Sequence, residues 1–229
     1  MAMLIDGPRA APSSGGRPNA LVVLLHGYGS NGEDLIGLAP HLSRLAPGAQ
    51  FIAPDAPQPV PGYPGGRQWF GLGAMDPVSL ERGVRAAAEP LSRFLDHELA
   101  RYALSQDRLA LVGFSQGAMM ALHVGLRRQP GPSAIIGFSG ALTGARSLRS
   151  EARAWPAILL VHGDRDDRIP LDAMFDAADA IAAAGRAAQW HVSYGVPHAI
   201  GPDGLELAGA FLKDALAGKF AHHLLEEQP

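Results

Sequence analysis

Short runs that are mostly free of polar residues punctuate this chain: ALVVLL at 20–25, QFIAP at 50–54, RLALVG at 108–113, SAIIGF at 133–138, AILLVH at 157–162 and QWHVSY at 189–194. Apart from a polar residue at one end, most are apolar, as strands buried on both faces of a parallel sheet are. Longer segments of helical spacing lie between them. This alternation restricts the chain to an α/β fold, with a mostly parallel central sheet flanked by helices on both faces. The most regular helical segment starts with Asp76 as N-cap and Pro77 at the first helical position. Val84, Ala87, Leu91, Phe94, Leu95, Leu99 and Tyr102 then recur on one face, and Pro90 is expected to kink or split the helix. Further helices are expected over 117–128, 171–184 and 205–216.

The 229 residues are read as a single domain over 1–229, in which 1–19, rich in Pro, Gly, Ser and Ala, forms a partly loose lead-in. Residues 54–77 are also dense in Pro and Gly, yet carry Tyr63, Trp69, Phe70, Leu72 and Met75. A loop of that length in a compact domain is functional or disordered, and its aromatics argue for function. A formal net charge of −3 with mixed signs supplies neither a basic stripe for nucleic acid nor a polybasic cluster for anionic lipid. No apolar run reaches the roughly 20 residues of a membrane span, and no secretory h-region follows a basic start. The expectation is a soluble cytoplasmic protein without stable membrane insertion. The absence of cysteine excludes disulfides, thiolate ligands and a cysteine nucleophile.

Two stretches, GFSQG at 113–117 and GFSGA at 137–141, place a serine after an apolar run. The first fits Gly-x-Ser-x-Gly, a sharp strand-to-helix turn whose flanking positions must be small because the turn brings them together. A strand precedes it and a helix, GAMMALHVGLRRQ, follows. That helix start places the Gln116 backbone N–H beside Ser115, where an oxyanion would develop. The second stretch has Ala141 in place of the second glycine and no apolar helical face after it. Ser139 is therefore read as structural, near the same C-terminal sheet edge where sites form in open α/β sheets.

A serine hydroxyl needs a histidine base, and the histidine a carboxylate, in the chain order Ser, Asp or Glu, His for this fold logic. After Ser115, His123 lies in the helix of the turn, His162 ends a strand, His191 sits within one, and His222 and His223 fall in a charged tail. His198, in the loop before the last helix, remains. HGDRDDRIP at 162–170 offers Asp164, Asp166 and Asp167. Asp166 is selected, with Asp164 read as a turn cap and Asp167 beside Arg168 as a solvated pair. The loop in LLHGYGSNG supplies a second oxyanion donor, the N–H of Tyr28. Gly27-Tyr28-Gly29 lacks the third glycine and the lysine of nucleotide-binding loops.

In this order, LLHGYGSNGEDL, PDAP, GRQWF, GFSQGAMMAL, HGDRDDRIP and GVPHAI resemble the carboxylesterase, lysophospholipase and acyl-protein thioesterase family of α/β-hydrolases, over about 190 residues from Leu21 to about Leu212. The resemblance implies a serine hydrolase acting on small-molecule esters, thioesters or lysophospholipids of short to medium acyl chain. It implies the triad Ser115, Asp166 and His198, and donors at Tyr28 and Gln116. It selects Asp166 independently, as the aspartate four residues before Pro170. It implies no cofactor and no metal, and it makes a homodimer a candidate assembly. By the same analogy Trp69, Phe70 and Met75 wall the acyl site; alternatively they anchor the loop to the core. Arg168 stands where relatives usually carry an apolar or small residue, so it is counted among the substrate contacts. Two competing readings are a binding protein that has lost turnover and a peptidase on the same fold, for which no propeller or cap domain is recognisable.

Overall fold

Each predicted apolar run becomes a strand of one seven-stranded sheet in the computed structural model, which describes residues 5–73 and 76–220. The strands are β1 Arg9–Ala10, β2 Ala20–Leu25, β3 Ala49–Ile52, β6 Leu109–Phe114, β7 Ala134–Phe138, β8 Ala157–Gly163 and β9 Gln189–Ser193, in the order β1-β3-β2-β6-β7-β8-β9. All neighbours are parallel except β1, which runs antiparallel to β3. A separate hairpin pairs β4 Gln58–Pro59 with β5 Arg67–Gln68. The helices are α1 Gly32–Ile36, α2 Ala39–Leu42, α3 Pro77–Tyr102, α4 Gln116–Arg127, α5 Leu148–Glu151, α6 Asp172–Ala183 and α7 Pro202–Leu216. Among the described residues, no helix is long and apolar enough to cross a membrane.

Strand alternation explains why the apolar runs are continuous. In β2, Leu21, Val23 and Leu25 pack with α3, α4 and α6, whereas Ala20, Val22 and Leu24 pack with α2 and α7. Both faces are covered, so neither tolerates polar residues. One expectation needs correction. Pro90 does not divide α3, which runs unbroken from Pro77 to Tyr102. The N-cap Asp76 accepts from the N–H groups of Val78 and Ser79, both at 3.0 Å, and Val84, Ala87, Leu91, Phe94, Leu95 and Leu99 are buried, which holds the helix across the proline. Residues 9 and 10 extend the sheet, and Arg9 Nη2 reaches the buried carboxylate of Glu98 at 3.0 Å.

α4 carries one buried polar side chain with no partner. His123 is 3% exposed and its Nδ1 is unbonded. Burial, aided by the nearby cations Arg127 and Arg85, pushes its pKa down from 6.5 to about 4. Between those values the unfolded chain binds more protons than the fold, so stability falls as pH drops from 6.5 towards 4. This group accounts for about 3 kcal/mol of that loss. His123→Leu is expected to flatten this part of the stability curve, measured by urea unfolding at pH 7 and pH 4.5.

Candidate active site

Three loops at the C-terminal ends of β6, β8 and β9 bring Ser115, Asp166 and His198 together. His198 Nε2 lies 2.9 Å from Ser115 Oγ, and His198 Nδ1 lies 2.7 Å from Asp166 Oδ2. Asp166 accepts at Nδ1–H, which leaves Nε2 as the acceptor for the serine hydroxyl. The Asp166 side chain is wholly buried. Burial alone would raise its pKa. The bond from His198 and the N–H groups of Ile169 and Arg168, each 2.9 Å from Oδ1, outweigh burial and hold the carboxyl below its ordinary value.

The turn carrying Ser115 is built by close backbone approach. Ser115 has φ 54° and ψ −117°, a conformation that non-glycine residues rarely adopt. A Cβ at Gly113 would lie 2.3 Å from Gly117 O, and one at Gly117 would lie 1.9 Å from Leu25 O. Both glycines are therefore required by neighbouring backbone. The second serine stretch completes the turn from the next strand. Phe138 O accepts from Ser115 N–H at 2.8 Å, and a Cβ at Gly140 would approach Ser115 O to 3.2 Å. Ser139 has φ 46°, is 1% exposed, and its N–H donates to Val161 O at 2.8 Å, while its Oγ is unpartnered. It supports the neighbouring turn, and its hydroxyl makes no bond to Ser115.

The His198 loop depends on similar contacts. A Cβ at Gly163 would lie 2.2 Å from Val196 O, so the end of β8 and this loop touch backbone to backbone. Asp164 accepts from Gly195 N–H in the loop after β9, so it ties the two loops together rather than capping its own turn. Asp167 and Arg168 are exposed and 3.8 Å apart, the solvated pair expected. The ring of Phe114 packs on His198 with centroids 4.9 Å apart.

Tyr28 and Gln116 flank Ser115, and among the described residues neither backbone N–H is donated to another protein group. The Tyr28 loop is fixed from below by His26, which is fully buried. Its Nε2 accepts from Ala56 N–H at 2.9 Å, so Nδ1 carries the proton and donates to Gly27 O at 2.7 Å. Burial lowers its pKa, which keeps the ring neutral. Gly29 N–H donates to Arg67 O and Arg67 N–H to Ser30 O, both at 2.9 Å, tying this loop to β5.

Ser115 opens into a cavity of about 720 Å³, lined also by Tyr28, Gln116, Asp167, Arg168, His198, Leu72, Met119, Ile169 and Pro197. Arg168, largely exposed, is among the residues lining this cavity. Trp69 and Phe70 do not line this cavity. They are 1% and 4% exposed and line a neighbouring one of about 550 Å³ against α3, so the anchoring role describes their side chains. The Trp69 indole N–H is held by His26 O at 3.0 Å, and Phe70 lies over Gly83, where a Cβ would come within 2.4 Å of the ring. Met75 lies outside the described residues.

Three contributions were not read from sequence. Met119 stands one helical turn beyond Ser115, a spacing that places it at the site. The Gln116 side chain bonds to the backbone at Trp69 and Phe70. His162, set aside because it ends a strand, has Nε2 2.9 Å from Ile169 O and 3.2 Å from Asp166 Oδ2. Two oxygen acceptors at one nitrogen require the Nε2–H form, so a second imidazole N–H faces the carboxylate that holds His198.

A parallel sheet with a serine on a sharp turn after β6, facing an imidazole and a carboxylate from later strands, defines an α/β-hydrolase. More narrowly, the chain belongs to the phospholipase/carboxylesterase family, whose model matches residues 10–216. It is 28% identical to esterase YpfH of Escherichia coli over 189 residues, covering 82% of this chain and 79% of that one. It is 27% identical to acyl-protein thioesterase 1 of Gibberella zeae over 216 residues, covering 87% and 92%. The crystal structure of esterase PE8 superposes with a TM-score of 0.87 at 40% identity, covering 92% of this chain and 99% of that one.

The packing of the turn leads to a stability prediction. Gly117→Ala forces a methyl group into Leu25 O and is expected to destabilise the fold by about 3 kcal/mol or more, read from urea unfolding.

Proposed function

We propose that this chain is a serine hydrolase that cleaves carboxylic esters, thioesters and lysophospholipids included, of short to medium acyl chain through an acyl-enzyme on Ser115. The observation that carries this reading is the unbroken relay from Asp166 through His198 to Ser115, at 2.7 and 2.9 Å, ending at a hydroxyl that lines an open cavity. The relatives named esterase and acyl-protein thioesterase support both oxygen and sulfur esters as substrates.

In this mechanism Ser115 Oγ attacks the acyl carbon while its proton passes to His198 Nε2. Asp166 stabilises the imidazolium without itself taking the proton. The carbonyl oxygen becomes an oxyanion received by the N–H groups of Tyr28 and Gln116, at the N-terminal end of α4. Collapse breaks the C–O or C–S bond, and His198 protonates the departing alcohol or thiol. Water then attacks the acyl-enzyme with His198 again as base, releasing the carboxylic acid and restoring Ser115.

Ser115→Ala is expected to lower kcat/KM for p-nitrophenyl butyrate by roughly 1,000-fold or more while the fold persists. Ser139→Ala is expected to stay within roughly threefold of the parent, since it has no partner to lose. A fluorophosphonate should label the parent at Ser115 and leave Ser115→Ala unlabelled. Full hydrolysis by Ser115→Ala overturns the assignment, and an inert Ser115 points instead to a binding protein on the same fold. Cleavage of peptide amides in preference to esters would favour the peptidase reading.

A further inference from the structure

We infer that the Gln116 side chain determines acyl specificity, acting as a positioning residue that sets the width of the acyl slot. This rests on the proposed hydrolase reading and extends it. Gln116 is 1% exposed, and both ends of its amide are used. Oε1 accepts from Trp69 N–H at 2.8 Å, and Nε2 donates to Phe70 O at 2.7 Å. The amide thus pairs with a loop as a neighbouring strand would, from the residue whose own N–H faces the oxyanion position.

Side chains also anchor the loop, the Trp69 indole on His26 O and Phe70 over Gly83, but its backbone bonds there are to Gln116. Beyond β5, and among the described residues, no backbone-to-backbone hydrogen bond reaches 69–73. Leu72, two residues beyond Phe70, and Met119 both line the cavity that contains Ser115. Trp69 and Phe70 line the second cavity, of about 550 Å³, together with Ala87 and Phe94, which leaves space for the strip to shift. An acyl chain held in the Ser115 cavity therefore meets Leu72, on the strip, and Met119, on the helix that begins with Gln116. The spacing of these two walls is set by the amide that joins them. Without it the Leu72 wall recedes, and contact with the acyl chain loses its dependence on length.

The test is a series of p-nitrophenyl esters from acetyl to dodecanoyl, with kcat and KM measured separately for the parent, Gln116→Met and Gln116→Glu. Met matches the length of Gln and makes neither bond. Glu retains an acceptor for Trp69 N–H but, when ionised, has no donor for Phe70 O. Both retain the backbone N–H. The expected result is a flattened profile, in which the ratio of best to worst kcat/KM across the series falls roughly tenfold in Gln116→Met, less in Gln116→Glu, and mainly through KM. A uniform fall in kcat with the parent profile retained overturns the inference, as does an unchanged profile. If Gln116→Met does not fold, the same comparison in Gln116→Glu decides it. A parent that hydrolyses no ester and resists fluorophosphonate overturns the hydrolase reading itself, a result distinct from either outcome in the variants.

Discussion

At the centre of the molecule, backbone packs on backbone where two side chains are missing. Gly113 faces the carbonyl of Gly117, and Gly117 faces the carbonyl of Leu25, both at distances that a methyl group cannot share. These contacts let the end of β6 reverse into α4 within one residue, and that residue is Ser115. The left-handed φ of Ser115 is the cost of the turn, and it is held by the bond from its N–H to Phe138 O on the adjacent strand. The placement of Ser115, the start of α4 and the position of the Gln116 N–H all follow from this one close approach.

The rest of the site is attached to that turn through short, mostly buried bonds. His198 is reached through the approach of Gly163 to Val196, and its orientation through Asp166, whose carboxylate receives two backbone N–H groups as well as the imidazole. The Tyr28 loop is secured by a neutral His26 and by pairing with Arg67. Gln116 then joins the turn to the strip at Trp69 and Phe70. Ser115, the loop of Tyr28 and the strip at Trp69 and Phe70 are thus parts of one bonded assembly rather than separately placed loops. The acyl transfer proposed for this site would need precision of this kind, since its donors must meet charge that exists only in the transition state.

The second serine stretch shows how similar sequence can serve different ends. Both GFS serines adopt positive φ, and both donate their N–H to a carbonyl of the next strand. Ser115 begins a helix and faces His198, whereas Ser139 begins an irregular segment that packs under the first turn. Two neighbouring strands in a parallel sheet end at the same edge, so a repeated local conformation brings one serine to the surface of the site and buries the other behind it.

The sequence by itself determined the elements with strong local signals: the buried strands from continuous apolar runs, α3 from its cap and its periodicity, the turn at Ser115 from its two glycines, and His198 from chain order. The first three depend on a residue and its near neighbours, where spacing reports directly on geometry, whereas His198 follows from elimination along the chain order. Tertiary structure alone decided what depends on distant pairs. Pro90 is tolerated because the face of α3 is buried along its length, and residues 9 and 10 form a strand because β3 and Glu98 stand opposite them. Trp69 and Phe70 are aromatic in either orientation, and only the His26 carbonyl and the space over Gly83 turn them away from Ser115. His162 and the Gln116 amide carry no local signal of their own, because the groups they bond to are chosen by how loops far apart along the chain meet at the sheet edge.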